Sequence, residues 1–338
     1  MPLHNLPKQF QLESEQTLLN AALYYEILGD ISQDREVVWV CHAFTGSATV
    51  KDWWASLFME NGGFIDLEKQ VVICANMLGS CYGSTGPESL NPDTGVVYGA
   101  EFHELNNRDV IRAFVDLRKA LQISTIHYLI GGSLGGQQAV EWSLLEPEVI
   151  QNQIIVASNA KHSPWGIAFN ELQRQALELG EKGKEEEKQL SLSLARSIAM
   201  LSYRSYSDFE LNQNGKSVQG DWNVASYLKY QGRKFNRRFS INSYKVLSKM
   251  MDAHNIAETR GDNLQEVLAS IKIKTLIIGI DNDNLFPLEE QRFMSENIPN
   301  AKLEVIKSFK GHDAFLIEGN LISHFIKKHL SNTLYEEI

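Results

Sequence analysis

Residues 125–142 read TIHYLIGGSLGGQQAVEW. The first six are rich in β-branched and aromatic side chains, the composition of a strand. From residue 134 onward the stretch reads as a helix, stopped before Pro147. Between the two lies Gly131-Gly132-Ser133-Leu134-Gly135, a G-x-S-x-G pentapeptide. Five residues alone decide little, because glycine and serine at about 7% each give roughly one chance match per ten chains of this size. The setting decides. A strand running in and a helix running out describe a sharp corner that lifts the serine hydroxyl above the sheet edge. Small residues on either side let the helix and its neighbouring strands approach. Ser133 is the candidate nucleophile.

Working outward, short apolar runs at 37–41 (VVWVC), 71–75 (VVICA), 153–157 (QIIVA), 274–280 (KTLIIGI) and 302–306 (KLEVI) read as further strands. Residues 108–121 and 321–330 carry apolar side chains at helical spacing. Strands alternating with helices predict a mostly parallel sheet covered on both faces. With the corner at Ser133, this is an α/β class chain of the α/β-hydrolase fold. The alternation lapses from about residue 164 to residue 262. Helix-like segments at 167–179, 190–203 and 223–251 fill that stretch. We therefore expect a core formed by 1–163 and 263–338, with 164–262 inserted as a helical lid domain. The charged run GEKGKEEEKQ at 180–189 reads as a solvated loop or helix face.

A serine hydroxyl needs a base, and on this fold the order along the chain is serine, acid, histidine. Both partners belong in loops just beyond strand ends. Asp283, in GIDNDNLFP, and His312, in FKGHDAF, stand in such places. His312 would take the Ser133 proton, and Asp283 would orient the imidazole. Asp281, two residues away, is a rival acid by position. An oxyanion hole needs two backbone N–H groups. Leu134, directly after the nucleophile, is one candidate donor, and Phe44, in HAFTG at 42–46, is the other, with Thr45 as its alternative.

The bulk composition narrows the function. A net charge of −10 argues against a broad nucleic-acid surface and against an anionic membrane. With 43% hydrophobic and 22% charged residues in 338, there is ample material for a core. No run approaches a membrane span, and the N-terminus lacks the apolar stretch of a signal peptide. Three cysteines without a C-x-x-C pair fit a reducing, cytoplasmic setting.

Several stretches together resemble one family, the homoserine O-acetyltransferases of methionine biosynthesis. They are HAFTGSA at 42–48, NMLGSCYGSTGP at 76–87, GGSLGGQQAVEW at 131–142, SYRS at 202–205, YLKYQGRKF at 227–235, SYKVLSKMMDAH at 243–254, DNDNLFP at 281–287 and GHDAFL at 311–316. The family usually has Met where this chain has Leu134. The resemblance implies Asp283 as the acid. It implies that Arg196, seven positions before Tyr203, binds the homoserine carboxylate, which suits a planar bidentate donor. It further implies Asp313 for the homoserine ammonium and Tyr203 in the same subsite. The implied reaction is ping-pong, with acetyl-CoA as co-substrate and L-homoserine as acceptor, and with no metal or other cofactor. A homodimer formed through the lid helices is implied as well. Succinyl-CoA as donor, L-serine as acceptor, and a plain serine esterase are the neighbouring readings. Lys229, Arg233, Lys234, Arg237 and Arg238 form a basic cluster. It reads first as a solvated helix face and second as a partner for the CoA phosphates.

Overall fold

The computed structural model describes residues 2–31, 34–218, 220–261 and 263–331. The domain limit at 262 and the stretch 332–338 lie outside the described residues. Ten strands are present among them: β1 (Leu3–Asn5), β2 (Gln9–Gln11), β3 (Thr17–Leu19), β4 (Ala22–Leu28), β5 (Glu36–Cys41), β6 (Gln70–Ala75), β7 (Ile126–Gly132), β8 (Ile150–Val156), β9 (Lys274–Ile280) and β10 (Ala301–Ile306). Eight of them form one sheet in the order β1-β4-β6-β5-β7-β8-β9-β10, and β2 pairs with β3 apart from it. The six strands from β6 to β10 in that order run parallel; β1 and β4 close the edge antiparallel.

The helices around the sheet are α1 (Val50–Trp54), α2 (Asn107–Ala120), α3 (Leu134–Leu145), then α4 (Pro164–Glu181), α5 (Glu185–Tyr203), α6 (Tyr206–Asn212), α7 (Asn223–Asn236) and α8 (Ile241–Asp252), and finally α9 (Leu264–Ser270), α10 (Leu288–Asn297), α11 (Ala314–Ile317) and α12 (Gly319–Ser331). The central strands are apolar on both sides because both sides are covered. On one face Trp39 meets Trp142 edge-on at 4.9 Å, beside Phe114 of α2. On the other, Val38, Val40, Ile130 and Ile278 pack under Trp54 and α12. Replacing any one of these three buried tryptophans by alanine would cost about 3–5 kcal/mol.

Helices α4 to α8 lie between β8 and β9 in the chain. α4 packs along α5, α5 along α7, and α4 against α8. The single helix expected over 223–251 is two helices. Ser240 caps α8 by accepting the Ser243 N–H, and the chain turns at 237–240. A serine hydroxyl competes for local backbone groups, so it starts helices better than it continues them. The N-terminal strands β1 to β4 had no counterpart in the periodicity. Three of them have only three residues, too few to display an alternation. The charged run at 180–189 spans the end of α4, a turn, and the acidic first turn of α5, where Glu185, Glu186 and Glu187 favour the helix N-terminus.

Candidate active site

The corner at Ser133 is built by close approach. A β-carbon on Gly131 would lie 2.0 Å from the Gly135 oxygen, and one on Gly135 would lie 2.1 Å from the Cys41 oxygen. Any larger side chain at either position would push α3 away from β5 and β7. Ser133 itself has φ +56° and ψ −127°, a backbone region that non-glycine residues occupy at a cost of about 1–3 kcal/mol. Neighbours hold it there. Its N–H donates to the Val156 carbonyl at 2.9 Å, and the Ser133 carbonyl accepts the Ser158 hydroxyl at 2.7 Å.

The loops after β9 and β10 bring the acid and the base to this serine. His312 Nε2 lies 2.9 Å from Ser133 Oγ, and Nδ1 lies 2.7 Å from Asp283 Oδ2. Asp283 Oδ1 accepts the N–H groups of Leu285 and Phe286, both at 2.8 Å, so only Oδ2 is left to face the imidazole. The ring of His312 stacks on Phe286 at 5.2 Å and leans on Phe315 at 5.1 Å. All three side chains are buried. Asp281, the rival acid, is exposed and turns its Oδ1 to the Ser308 N–H at 3.1 Å.

Ser133 and His312 lie on the wall of a cavity of about 640 Å³, which Phe44, Arg196, Tyr203 and Asp313 also line. Phe44 stands in a tight turn after β5, closed by the Gly46 N–H to the Ala43 carbonyl at 2.8 Å. Leu134 opens α3, so its N–H has no carbonyl one turn earlier to receive it. His42 supports the loop from below. Its Nε2 accepts the Met77 N–H at 3.0 Å, and its Nδ1 lies 2.9 Å from the Ala43 carbonyl. That pattern requires a neutral ring with the proton on Nδ1. Burial drives the same result, lowering the His42 pKa to about 4.

Arg196 faces the cavity from α5. Its guanidinium lies 5.3 Å from the Tyr203 ring and 5.1 Å from the Phe235 ring. Among the described residues no carboxylate lies within ion-pair distance of it. Asp313 is different. Its Oδ2 is 2.8 Å from Arg204 Nε, an ion pair without a well-aligned hydrogen bond. Burial raises the Asp313 carboxyl above its usual range, and Arg204, Arg196 and His312 pull it back in part. Asp313 makes no capping bond to the helix it opens. Tyr203 lies with its ring centre 5.8 Å from that of His312, and burial raises its hydroxyl pKa.

A family model described as the alpha/beta hydrolase fold matches residues 36–318. A homoserine O-acetyltransferase of Cyclobacterium marinum is 43% identical over 94% of this chain and 91% of its own. One of Trichormus variabilis is 39% identical over 96% and 92%. The chain belongs to the homoserine O-acetyltransferase family. It is thus an enzyme of an acyltransferase family on the α/β-hydrolase fold. A crystal structure of a homoserine O-acetyltransferase from Staphylococcus aureus agrees, at 30% identity and a TM-score of 0.80 over 96% of this chain and 94% of that one. Esterase E22, at 21% identity and a TM-score of 0.84 over 97% and 99%, shares the fold.

Two residues make contacts at the site that the sequence reading did not assign. Arg204 adjoins Tyr203 in SYRS and pairs with both Asp313 and Asp208, the latter at 3.0 Å. Asp208 in turn holds Lys310 at 2.8 Å. In the sequence Arg238 reads only with the basic cluster, as a solvated helix face or a partner for the CoA phosphates. Its Nη1 donates to the Thr45 carbonyl at 2.7 Å and to the Tyr82 hydroxyl at 2.6 Å. All five members of that cluster are exposed, and Lys234 and Arg238 also line the mouth of the cavity. Among the described residues no group of three or more His, Cys, Asp and Glu is placed to hold a metal ion. No described helix is long and apolar enough to cross a membrane.

Proposed function

We propose that this chain moves an acetyl group from acetyl-CoA to the side-chain hydroxyl of L-homoserine, a step of methionine biosynthesis. The observation that carries this reading is one cavity holding both a hydrogen-bonded Asp283–His312–Ser133 chain and Arg196 without a carboxylate partner. The first part suits acyl transfer, and the second suits an acceptor bearing a carboxylate. Ser133 Oγ attacks the thioester carbonyl while its proton passes to His312 Nε2. The tetrahedral oxyanion is received by the N–H groups of Phe44 and Leu134. Its collapse breaks the C–S bond, and CoA departs with the proton from His312. The homoserine hydroxyl then gives its proton to His312 and attacks acetyl-Ser133, and the returning proton restores the serine. Arg196 holds the acceptor carboxylate, Asp313 its ammonium, and Tyr203 packs against both. Acceptor and acyl-enzyme held together outrun water through effective concentration.

We further propose a homodimer through the lid helices, and a cytoplasmic setting, which suits three unpaired cysteines. The test is CoA release by purified protein given homoserine or serine, with acetyl-CoA or succinyl-CoA. Homoserine-dependent release from acetyl-CoA is the expected result. Release with succinyl-CoA only, with serine only, or with no acceptor at all would replace the donor, the acceptor or the transferase reading respectively. Ser133→Ala should form no acetyl-enzyme. Arg196→Ala should acetylate normally and use homoserine at least about 100-fold less well, the loss expected of a charge-assisted pair worth about 3 kcal/mol.

A further inference from the structure

Arg238 follows α7 at the turn into α8 and reaches across to the loop that bears Phe44. Its two hydrogen bonds, to the Thr45 carbonyl and the Tyr82 hydroxyl, leave from the same nitrogen. The guanidinium lies 5.1 Å from the ring centre of Phe235, which is buried. The next residue, Phe239, packs edge-on against Phe44 and Tyr82 at 6.2 and 5.9 Å, and Tyr244 of α8 meets Phe44 edge-on at 4.8 Å. Three segments far apart in the chain therefore meet at one side chain: the turn at 43–46, the block at 76–87, and the α7–α8 corner.

The turn itself is held by one backbone bond, from the Gly46 N–H to the Ala43 carbonyl. The Ala43 carbonyl at its start also receives the His42 Nδ1–H, and the Thr45 carbonyl at its far end receives Arg238. A donor on the Thr45 carbonyl fixes the far peptide of the turn, and so restricts the Phe44 and Thr45 dihedrals between the two anchored ends. Arginine suits the task because its planar fork stays charged and gives two directed bonds while stacked on an aromatic ring.

We propose that Arg238 is a positioning residue for the oxyanion hole. It pins the Thr45 carbonyl to Tyr82 and to the α7–α8 corner, so the Phe44 N–H is in place only while that corner is docked. This rests on the Ser133 acyl-transfer reading given above. A competing role is available to any arginine on this cavity wall, namely pairing with a phosphate of the donor. The two roles differ in kinetics. A phosphate contact sets KM for acetyl-CoA alone. A positioning contact sets kcat for every acyl donor, because each passes through the same oxyanion.

The experiment measures homoserine acetylation by Arg238→Ala, Arg238→Lys and Tyr82→Phe with two donors, acetyl-CoA and the phosphate-free thioester S-acetyl-N-acetylcysteamine. For Arg238→Ala we expect kcat to fall by about 10- to 100-fold with both donors, as when an oxyanion donor is misplaced, and KM to stay within about twofold. Lysine keeps one donor and should recover part of the loss. Tyr82→Phe should show a smaller fall of the same pattern. A raised KM for acetyl-CoA with unchanged turnover of the short thioester would overturn the proposal, and so would unchanged kcat with both donors. If Arg238→Ala does not fold, the lysine and Tyr82 variants decide by the same two criteria. Ser133→Ala separates the levels: turnover retained there removes the underlying reading, whereas an inactive Ser133→Ala beside fully active Arg238 variants removes this proposal alone.

Discussion

His42 shows at the level of one residue how burial turns a titratable group into a fixed part. The strand ahead of it, 37–41, was legible from β-branched residues, and so was the turn after it. The orientation of the ring was not, because its partner is the Met77 N–H, 35 positions away, and no local pattern carries that contact. Its folded pKa of about 4 lies below the ordinary value of 6.5. The sign follows. Between pH 4 and 6.5 the unfolded chain binds a proton at His42 that the folded chain does not, so stability is lost as pH falls through that window. At about 1.36 kcal/mol per pKa unit, the loss from this residue approaches roughly 3 kcal/mol near pH 4. Other buried groups titrate in the same range; burial raises Glu290 to about 7, which acts with the opposite sign. A comparison of wild type with His42→Asn removes them, since both proteins share them. Asparagine can still accept and donate. Urea unfolding at pH 7, 6, 5 and 4 should show the gap between the two proteins moving in favour of the variant by about that amount. A gap constant across the series would mean that His42 takes up its proton over the same pH range folded and unfolded, and that burial does not hold the ring neutral.

The elements meet the site at the end of α5, where the helix runs out against the loop of the catalytic-candidate histidine. Gly311 has φ +67°, and a β-carbon there would lie 2.7 Å from the Ser205 nitrogen and 2.9 Å from both the Arg204 carbonyl carbon and the Tyr203 oxygen. Those are backbone atoms, which cannot swing aside. The Ser205 hydroxyl donates to the Phe309 carbonyl, and the Arg204–Asp208–Lys310 pairs close the same seam. Periodicity could place α5 and could place a histidine after a strand. It had no means of showing that the two touch, because the contact runs over a hundred residues of chain and leaves no mark on either segment except a glycine. Gly311→Ala should lose about 2–4 kcal/mol, the sum of left-handed strain and overpacking. His312 should shift with it, lowering kcat on the order of 100-fold, as for a misplacement of about 1 Å. Gly95 also has positive φ, +70°, but open space around it. Gly95→Ala should therefore cost about 1 kcal/mol and leave kcat unchanged. Equal kinetics for the two variants would show that the seam does not position His312.

At the scale of the whole molecule, the sheet and the order of Ser133, Asp283 and His312 were legible because apolar runs and glycine-bounded corners are local signals. The lid helices were legible as helices but not as a surface, since an amphipathic pattern does not say how many faces find partners. α5 has two apolar faces. Leu192, Ala195 and Ala199 are buried against the rest of the chain, while Leu190, Leu194 and Leu201 are 71%, 44% and 53% exposed. The exposed three are spaced by four and seven, so they form one stripe. On α4, Leu172 and Leu179 are also exposed, again seven apart. A contiguous apolar stripe in water is costly and is a usual mark of an interface. The proposed homodimer would cover it, and would brace α5 from outside while Arg196 and Tyr203 line the cavity from its inner side. The exposed stripe is separate from these two residues, so it can be altered without touching the cavity. Leu194→Asp with Leu201→Asp should convert a dimer of twice the chain mass to a monomer, measured by light scattering during size exclusion. The loosened α5 should raise KM for homoserine more than it slows acetylation of Ser133. A wild-type protein that elutes as a monomer at micromolar concentration would end the dimer reading and leave the stripe to another partner.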